Sequence, residues 1–541
     1  MDFVIFILAS IGIIILVKFF RSRNLAKKLE IIRNYWGAIP EDVFDVKTAT
    51  LFFVLNKTDF IENSYQLDDS TWNDLDMNEI FKLLNRTITP TGAQYLYYLM
   101  RQPVFSRETL ERREKLFNQF SKNQELREKI QLFLLPLKEK NAKYLPYSLW
   151  KPLPEKPVYA NVLPFFSFLA FLVLLLSGLK VIHFGLIIVV FVINLFIRLF
   201  IKKRIQVFIY SLQYLGVLIN VANGISTIKS EGLKDVQNHL IEKLHETKSI
   251  ADKIFSLQFK DDAGLIEYLN IYFLLDIAGF YTALNKIKKH LDDLRDIYRT
   301  VGYLDALISI SSFRQEYQNF CFPSFSEDKN IFRVEKIYHP LLQKPVPNTF
   351  QFASKDILIT GSNMAGKTTF LKTFGVNSIL AQTIHTCMAK KYEAPILKVI
   401  SSISRSDNLL DGKSYYLAEV ESILELVKAS ELTNVHLFLI DEIFRGTNSV
   451  ERSAASIEVL EYLANKKDFV FVATHDLQLS EVLQTEYDNY HFREQVNDDG
   501  LFFDYQLFDG ISTTKNAIAL LDFAGYPKKI TSGARSRIKN D

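Results

Sequence analysis

Three apolar runs constrain this chain more than any other feature of it. Residues 3–17 read FVIFILASIGIIILV, and apolar character resumes after Lys18 with Phe19 and Phe20. A longer block, residues 162–201, is divided by Lys180 and His183 into VLPFFSFLAFLVLLLSGL and VIHFGLIIVVFVINLFI. About 17–25 helical residues cross a hydrocarbon core. No polar face interrupts these runs, as it would in a helix covering a water-facing core. The first run has only Asp2 before it and no Ala-x-Ala site after it, which argues for an uncleaved anchor over a signal peptide. Arg21, Arg23, Lys27 and Lys28 follow that run. Lys151 and Lys156 precede the second block, and Arg198, Lys202, Lys203 and Arg204 close it. Basic residues stay on the cytoplasmic side. The expectation is therefore three spans, an outside N-terminus and a cytoplasmic remainder, as in a multi-pass protein of the bacterial inner membrane. Asn194 is too little polarity to line a transport path.

The 541 residues leave room for two to four domains. With 64 Lys+Arg against 61 Asp+Glu the net charge is +3, which neither demands nor excludes a nucleic-acid partner. Two cysteines, Cys321 and Cys387, exclude a disulfide scaffold and a cysteine-based zinc site. Apolar residues at helical spacing predict amphipathic helices over 77–84 and 109–135. A longer helical stretch is predicted through 205–320, with 267–310 free of proline. From Val334 onward short β-like runs (357–360, 437–440, 469–474) alternate with helical ones, the pattern of a parallel sheet covered by helices. The expected organisation is an anchor (1–20), a cytoplasmic region (21–156) whose helical core begins near residue 67, a membrane hairpin (157–203), a helical core or lever (204–325) and a C-terminal α/β domain (326–541).

The chemistry concentrates in that last part. The run DILIT (356–360) leads into Gly361-Ser362-Asn363-Met364-Ala365-Gly366-Lys367-Thr368-Thr369 and then a helical stretch. This is G-x-x-x-x-G-K-T between strand and helix, the Walker A pattern. Glycines let the backbone N–H groups line a phosphate-sized hollow, and the helix adds its positive dipole end. Lys367 is placed to neutralise β- and γ-phosphates, and the Thr368 hydroxyl to ligate Mg²⁺. Downstream, the apolar HLFLI (436–440) ends in Asp441 and Glu442, the Walker B pattern. Asp441 is the expected second Mg²⁺ ligand and Glu442 the general base. A third strand ends in Ala473-Thr474-His475, and a histidine at the end of a strand of the same sheet is expected to sense the γ-phosphate. As a lone residue it would more often be structural.

These motifs together resemble the MutS family of DNA mismatch-repair ATPases. TGSNMAGKTTF is similar to the family's TGPNMGGKST, with Ser362 and Ala365 as departures. Residues 404–419, SRSDNLLDGKSYYLAE, resemble its SDDL…GxSTF…E segment; Asp441-Glu442-Ile-Phe-Arg-Gly446-Thr447-Asn448 resembles its DE-x-x-RGTS; Ala473-Thr474-His475 matches its ATH. The stretches 67–75 and 84–92, and His339-Pro-Leu-Leu342, carry the likeness upstream. The resemblance implies an ABC-type P-loop α/β ATPase domain joined to an all-α core, with ATP and Mg²⁺ as cofactors. It also implies a homodimer in which Ser414 reaches the γ-phosphate of the partner's site, and adenine contacts from Pro345, Val346 and Tyr505. The plainer, less favoured reading of Ser414 is a serine that shapes a turn after Gly412.

Family members that read mismatches carry an N-terminal domain with a Phe-x-Glu wedge. Here an apolar run stands in that place, and about 45 residues before the core are too few for such a domain. Lys286, Lys288, Lys289 and His290 form a small basic cluster, better read as a solvated helix face than as a DNA groove. The expected function is a membrane-anchored MutS-like ATPase, with DNA a partner by resemblance only. The alternative is a nucleotide-switched membrane scaffold that regulates a protein partner without DNA contact.

Overall fold

A computed structural model describes residues 19–20, 22–39, 44–56, 65–254, 265–352, 355–362, 365–403, 415–444, 448–497, 500–511, 518, 521–522 and 524–538. The chain divides into two compact units. One comprises residues 1–62, 84–98 and 114–316; the other comprises 63–83, 99–113 and 317–541. Helices dominate the first and mixed α/β sheets the second.

In the helical unit, Val158–Gly178 and Gly185–Ser226 are, among the described residues, the two helical segments long and apolar enough to cross a membrane. The N-terminal run expected as a third span lies outside the described residues. Side chains along the hairpin point outward: Phe165, Phe168, Phe184, Ile188, Phe196 and Phe200 are all exposed. The second helix does not stop at the predicted boundary near residue 203. It continues for 42 residues in all, about 63 Å at 1.5 Å per residue, and its far half buries Leu212, Leu215, Leu218, Ile219 and Ile225. Nothing in 202–226 breaks a helix, because neither proline nor a helix-stopping cap occurs there.

The stretch 267–310, expected as helical throughout, is three helices: Leu265–Phe273, Leu275–Lys289 and Leu291–Glu316. The first break falls at Leu274, whose φ of 53° is left-handed. A break frees carbonyls, and buried carbonyls need donors. Asn194 Nδ2 donates to Tyr272 O at 2.6 Å, and Ser167 Oγ to Phe273 O at 2.6 Å, so the hairpin's few polar side chains satisfy the interruption. Arg198, buried, pairs with Asp276 at 2.8 Å and with Glu267 at 2.8 Å. Elsewhere in this unit Asp305 accepts hydrogen bonds from the N–H groups of Ile88 and Thr89 and the Thr89 hydroxyl. Burial nevertheless pushes its pKa up to about 6. The predicted 109–135 helix is also divided, into Arg107–Lys122 and Gln124–Leu134, because the Asn123 side chain caps the second by accepting from Leu126 N.

The second unit holds twelve strands among its described residues: β1 (Ser324–Phe325), β2 (Arg333–Ile337), β3 (Asn348–Gln351), β4 (Asp356–Thr360), β5 (Lys391–Ala394), β6 (Lys398–Ser402), β7 (His436–Asp441), β8 (Phe469–Ala473), β9 (Tyr487–His491), β10 (Glu494–Asn497), β11 (Gly500–Phe503) and β12 (Phe508–Asp509). The main sheet has the order β12-β9-β4-β8-β7-β6. Its pairs are parallel except β12 with β9. Strands β4, β7 and β8 are buried at every position, which is why they read as unbroken apolar runs. A smaller mixed sheet, β1-β5-β2-β3, and the β10–β11 hairpin complete the strands. Residues 69–74, expected to open the helical core, pack instead with this unit: Asp74 Oδ2 accepts from Ser401 Oγ at 2.7 Å and Ile403 N at 2.9 Å.

An apolar cluster from Leu426, Leu460, Leu463 and Leu479 packs with Phe438, Ile440, Val470 and Val472 of the sheet. Aromatic rings form a second cluster, in which Phe374 lies 5.1 Å from Phe471, 5.5 Å from Phe332 and 5.7 Å from Phe350, centroid to centroid. Phe374 is fully buried on the helix that follows β4, so truncation leaves a cavity. Phe374→Ala should destabilise this unit by about 3–5 kcal/mol. Denaturant unfolding followed by aromatic fluorescence would measure it, and a loss under about 1 kcal/mol would show that these rings do not hold the sheet to its helix.

Candidate functional site

Parallel pairing sets the ends of three strands side by side. Ile359 of β4 registers with Ala473 of β8, and Ala473 registers with Asp441 of β7. The residues just beyond these ends are those the sequence singles out. After β4 the chain passes Gly361, with φ 140°, and Gly366, with φ 112°, before the Lys367–Ile384 helix. Both angles belong to the region that only glycine adopts without strain. At Gly361 a Cβ would also stand 2.6 Å from the Phe492 carbonyl oxygen. Lys367 is buried, and its ammonium donates to the carbonyls of Gly361 at 2.7 Å and Ser362 at 3.0 Å. The amine thus lies folded over the loop at the N-terminus of an 18-residue helix, where anions are favoured. Asn363 and Met364 lie outside the described residues; Ala365, next in the loop, is buried.

Thr368 donates from Oγ1 to Asp441 Oδ2 at 2.6 Å, joining the first turn of the helix to the end of β7. A hydroxyl and a carboxylate in contact at the edge of an anion-favouring loop form a hard, oxygen-only donor pair. That suits Mg²⁺, which takes few protein ligands and fills its octahedron with water and phosphate oxygens. Glu442 follows at φ 58°, its N–H bonded to Ala473 O at 2.8 Å. Its carboxylate lies 2.9 Å from His475 Nδ1, and the His475 side chain is half exposed while that of Glu442 is largely covered. A carboxylate and an imidazole in contact at a strand edge can hold a water and move its proton.

A cavity of about 710 Å³ opens over this edge. Ser362, Gly366, Lys367, Thr368, Thr369, Asp441 and Glu442 line one part of it; Pro345, Val346 and Tyr505 line another. Val346 and Tyr505, distant in sequence, are tied by Asn348: its Nδ2 donates to Tyr505 O at 3.0 Å and to Val346 O at 3.3 Å, and its Oδ1 accepts from Leu507 N at 2.9 Å. Sequence reading missed Asn348, as it missed Lys344, Thr373 and Phe492 in the lining. One asparagine on a short strand carries no periodic signal. The Ser362 hydroxyl, also in the lining, is buried and has no hydrogen-bond partner among the described residues. Ser414 and the 445–447 segment lie outside the described residues.

His339, quoted above only for its likeness to a motif, also lines the cavity. Burial, with Lys372 nearby, pushes its pKa down from 6.5 to about 4. The folded state therefore favours the neutral ring. That contribution is complete above pH 6.5 and is lost as pH falls toward 4, a span worth roughly 3 kcal/mol. His339→Phe should remove this part of the acid limb, so its unfolding free energy should fall by less than that of the parent between pH 7 and pH 5. Parallel limbs for the two proteins would mean that His339 is not held neutral by the fold.

Residues 357–540 match the family model of MutS domain V. The chain is 29% identical to the DNA mismatch repair protein MutS of Thermus aquaticus over 264 residues, 48% of this chain and 32% of that protein. It is 29% identical to the protein of the same name from Staphylococcus aureus (strain JH9) over 321 residues, 57% of this chain and 35% of that one. The counterpart in Lactobacillus delbrueckii subsp. bulgaricus (strain ATCC BAA-365 / Lb-18) is 27% identical over 308 residues, covering 54% and 35%. The chain thus spans about a third of the length of the curated relatives it matches.

Proposed function

We infer that this chain, which belongs to the MutS family through its C-terminal domain, is an ATPase that binds ATP with Mg²⁺ and is held at a membrane by its apolar hairpin. The observation that carries this reading is the joining of two motifs 73 residues apart by the Thr368–Asp441 hydrogen bond, with the Glu442–His475 pair on the next strand end. Gly361 and Gly366 shape the P-loop, and Lys367 exchanges its two carbonyl partners for phosphate oxygens. Thr368 and Asp441 would hold Mg²⁺, which would supply positive charge to offset that of the phosphates. Glu442 takes a proton from the attacking water, and His475 orients Glu442 and reports on the γ-phosphate. Thr369 and the N–H groups of Ser362 to Ala365 add donors around the phosphates. Pro345, Val346 and Tyr505 flank the base.

Lys367→Ala should abolish nucleotide binding or weaken it severely. Glu442→Gln should keep ATP bound but slow phosphate release by about 10²–10⁴, the usual worth of a positioned acid–base group. Steady-state turnover and retained nucleotide would be measured on both. Unchanged turnover in Glu442→Gln would remove Glu442 from the reaction.

The site is completed, in this reading, by Ser414 of a second copy. Ser414→Ala and Lys367→Ala then damage opposite halves of one composite site. A mixed dimer has one site with both defects and one with neither, so mixing the purified mutants should restore turnover at up to half the sites. A mixture no better than the average of its parts, with subunit exchange shown independently, would assign Ser414 to its own chain.

Mismatch repair is what the relatives are named for, and DNA binding is carried to this chain as part of the proposal. The hairpin favours a second reading, a membrane scaffold switched by nucleotide that acts on a protein partner. Lys286, Lys288 and Lys289 close the last turn of the Leu275–Lys289 helix, where cations complement the helix dipole without any nucleic acid. DNA titration of the detergent-purified protein separates the two, since phosphate contacts lose affinity steeply as salt rises.

A further inference from the structure

The helical unit has a polar cavity that the ATP chemistry does not use. Its volume is about 310 Å³, and Asn141, Tyr144, Lys203, Arg204, Gln206 and Tyr210 line it. The chemistry of that lining is one-sided: two cations, two amides, two phenols and, among the described residues, no carboxylate. Neighbouring basic groups are already neutralised. Arg198 pairs with Asp276 and Glu267, and Lys202 stands 3.7 Å from Glu267. Lys203 and Arg204 are exposed and, among the described residues, in no ion pair. The Arg204 guanidinium lies over the Phe200 ring, 4.8 Å from its centroid. Gln206 Nε2 donates to the Tyr210 hydroxyl at 3.1 Å, which orders the cavity's far wall.

Position supplies the second argument. Ile201 is the last residue of the apolar run, and residues 203–207 lie two to six positions beyond it. At 1.5 Å per residue that is about 3–9 Å along the same unbroken helix. The polar headgroup layer extends about 5–7 Å beyond the hydrocarbon on each side. Tyrosines gather near membrane–water boundaries, and Tyr144 and Tyr210 line this same cavity.

We propose that this cavity holds the phosphate of an anionic phospholipid from the cytoplasmic leaflet, with Lys203 and Arg204 as its cations. The proposal rests on reading the hairpin as membrane-spanning. A zwitterionic lipid brings its own ammonium to the site and gains less from two unpaired cations, so phosphatidylglycerol should be retained over phosphatidylcholine by at least about fivefold.

The test uses the full-length chain reconstituted in nanodiscs of phosphatidylcholine with a minor share of phosphatidylglycerol. Alkaline carbonate extraction of membranes comes first: release of the protein overturns the membrane reading and this proposal with it. For a protein that stays embedded, lipids retained after mild delipidation are identified by native mass spectrometry. The parent should keep phosphatidylglycerol, Lys203→Gln/Arg204→Gln should lose it, and the equal charge change Lys288→Gln/Lys289→Gln should not. Both doubles should keep the parent's helical content and thermal midpoint. Equal retention in the two doubles would overturn the site in favour of diffuse surface charge. Displacement of the lipid by millimolar inorganic phosphate would reassign the cavity to a soluble anion. A parent with no preference for phosphatidylglycerol overturns the lipid assignment without touching the membrane reading, whatever the variants do.

Discussion

The parallel register of β4, β8 and β7 is the constraint on which the candidate site depends. Because Ile359, Ala473 and Asp441 lie abreast, the loop after β4, the Glu442 carboxylate and the His475 ring meet at one edge. A one-residue slip in any of these pairings would exchange side chains between the two faces of the sheet and move Asp441 away from Thr368. Burial enforces the register. All three strands are buried at every position, so a slip would disrupt close packing on both faces at once.

Backbone strain collects at that same edge. Gly361 and Gly366 take positive φ without cost, whereas Glu442 and Phe444 take it at a cost of order 1–3 kcal/mol each. The Glu442 N–H bond to Ala473 O is one of the contacts that hold the strained turn. At this strained position the Glu442 carboxylate lies 2.9 Å from His475 Nδ1.

In the helical unit, polar groups within an apolar segment set the local structure. Asn194, Ser167 and Arg198 are among the few polar side chains of the hairpin. Each is consumed by the segment around Leu274: two satisfy its freed carbonyls and the third binds Asp276 and Glu267. A charge buried in such surroundings needs its partners, because the isolated ion is costly. The hairpin is therefore joined to the following helices by specific contacts as well as by apolar surface.

Much of this was legible in the sequence. Uninterrupted apolar runs announced the hairpin, since nothing but length and polarity decides whether a helix can face lipid. The glycine-lysine-threonine spacing announced the turn from β4 into the Lys367–Ile384 helix, because Gly361 and Gly366 take the positive φ angles such a turn needs. Alternation of strand-like and helical runs announced a parallel sheet. Tertiary structure decided the rest, through contacts with no local signature. Leu274 breaks a helix because Asn194 and Ser167, 80 and 107 positions away, accept the break. Asp74 joins the sheet unit because Ser401 and Ile403 donate to it. Asn348 and His339 enter the cavity because strands remote in sequence close around it. Periodicity and motif spacing record what a segment does to itself; hydrogen bonds between distant segments exist only once the chain has folded, and no window of sequence contains both partners.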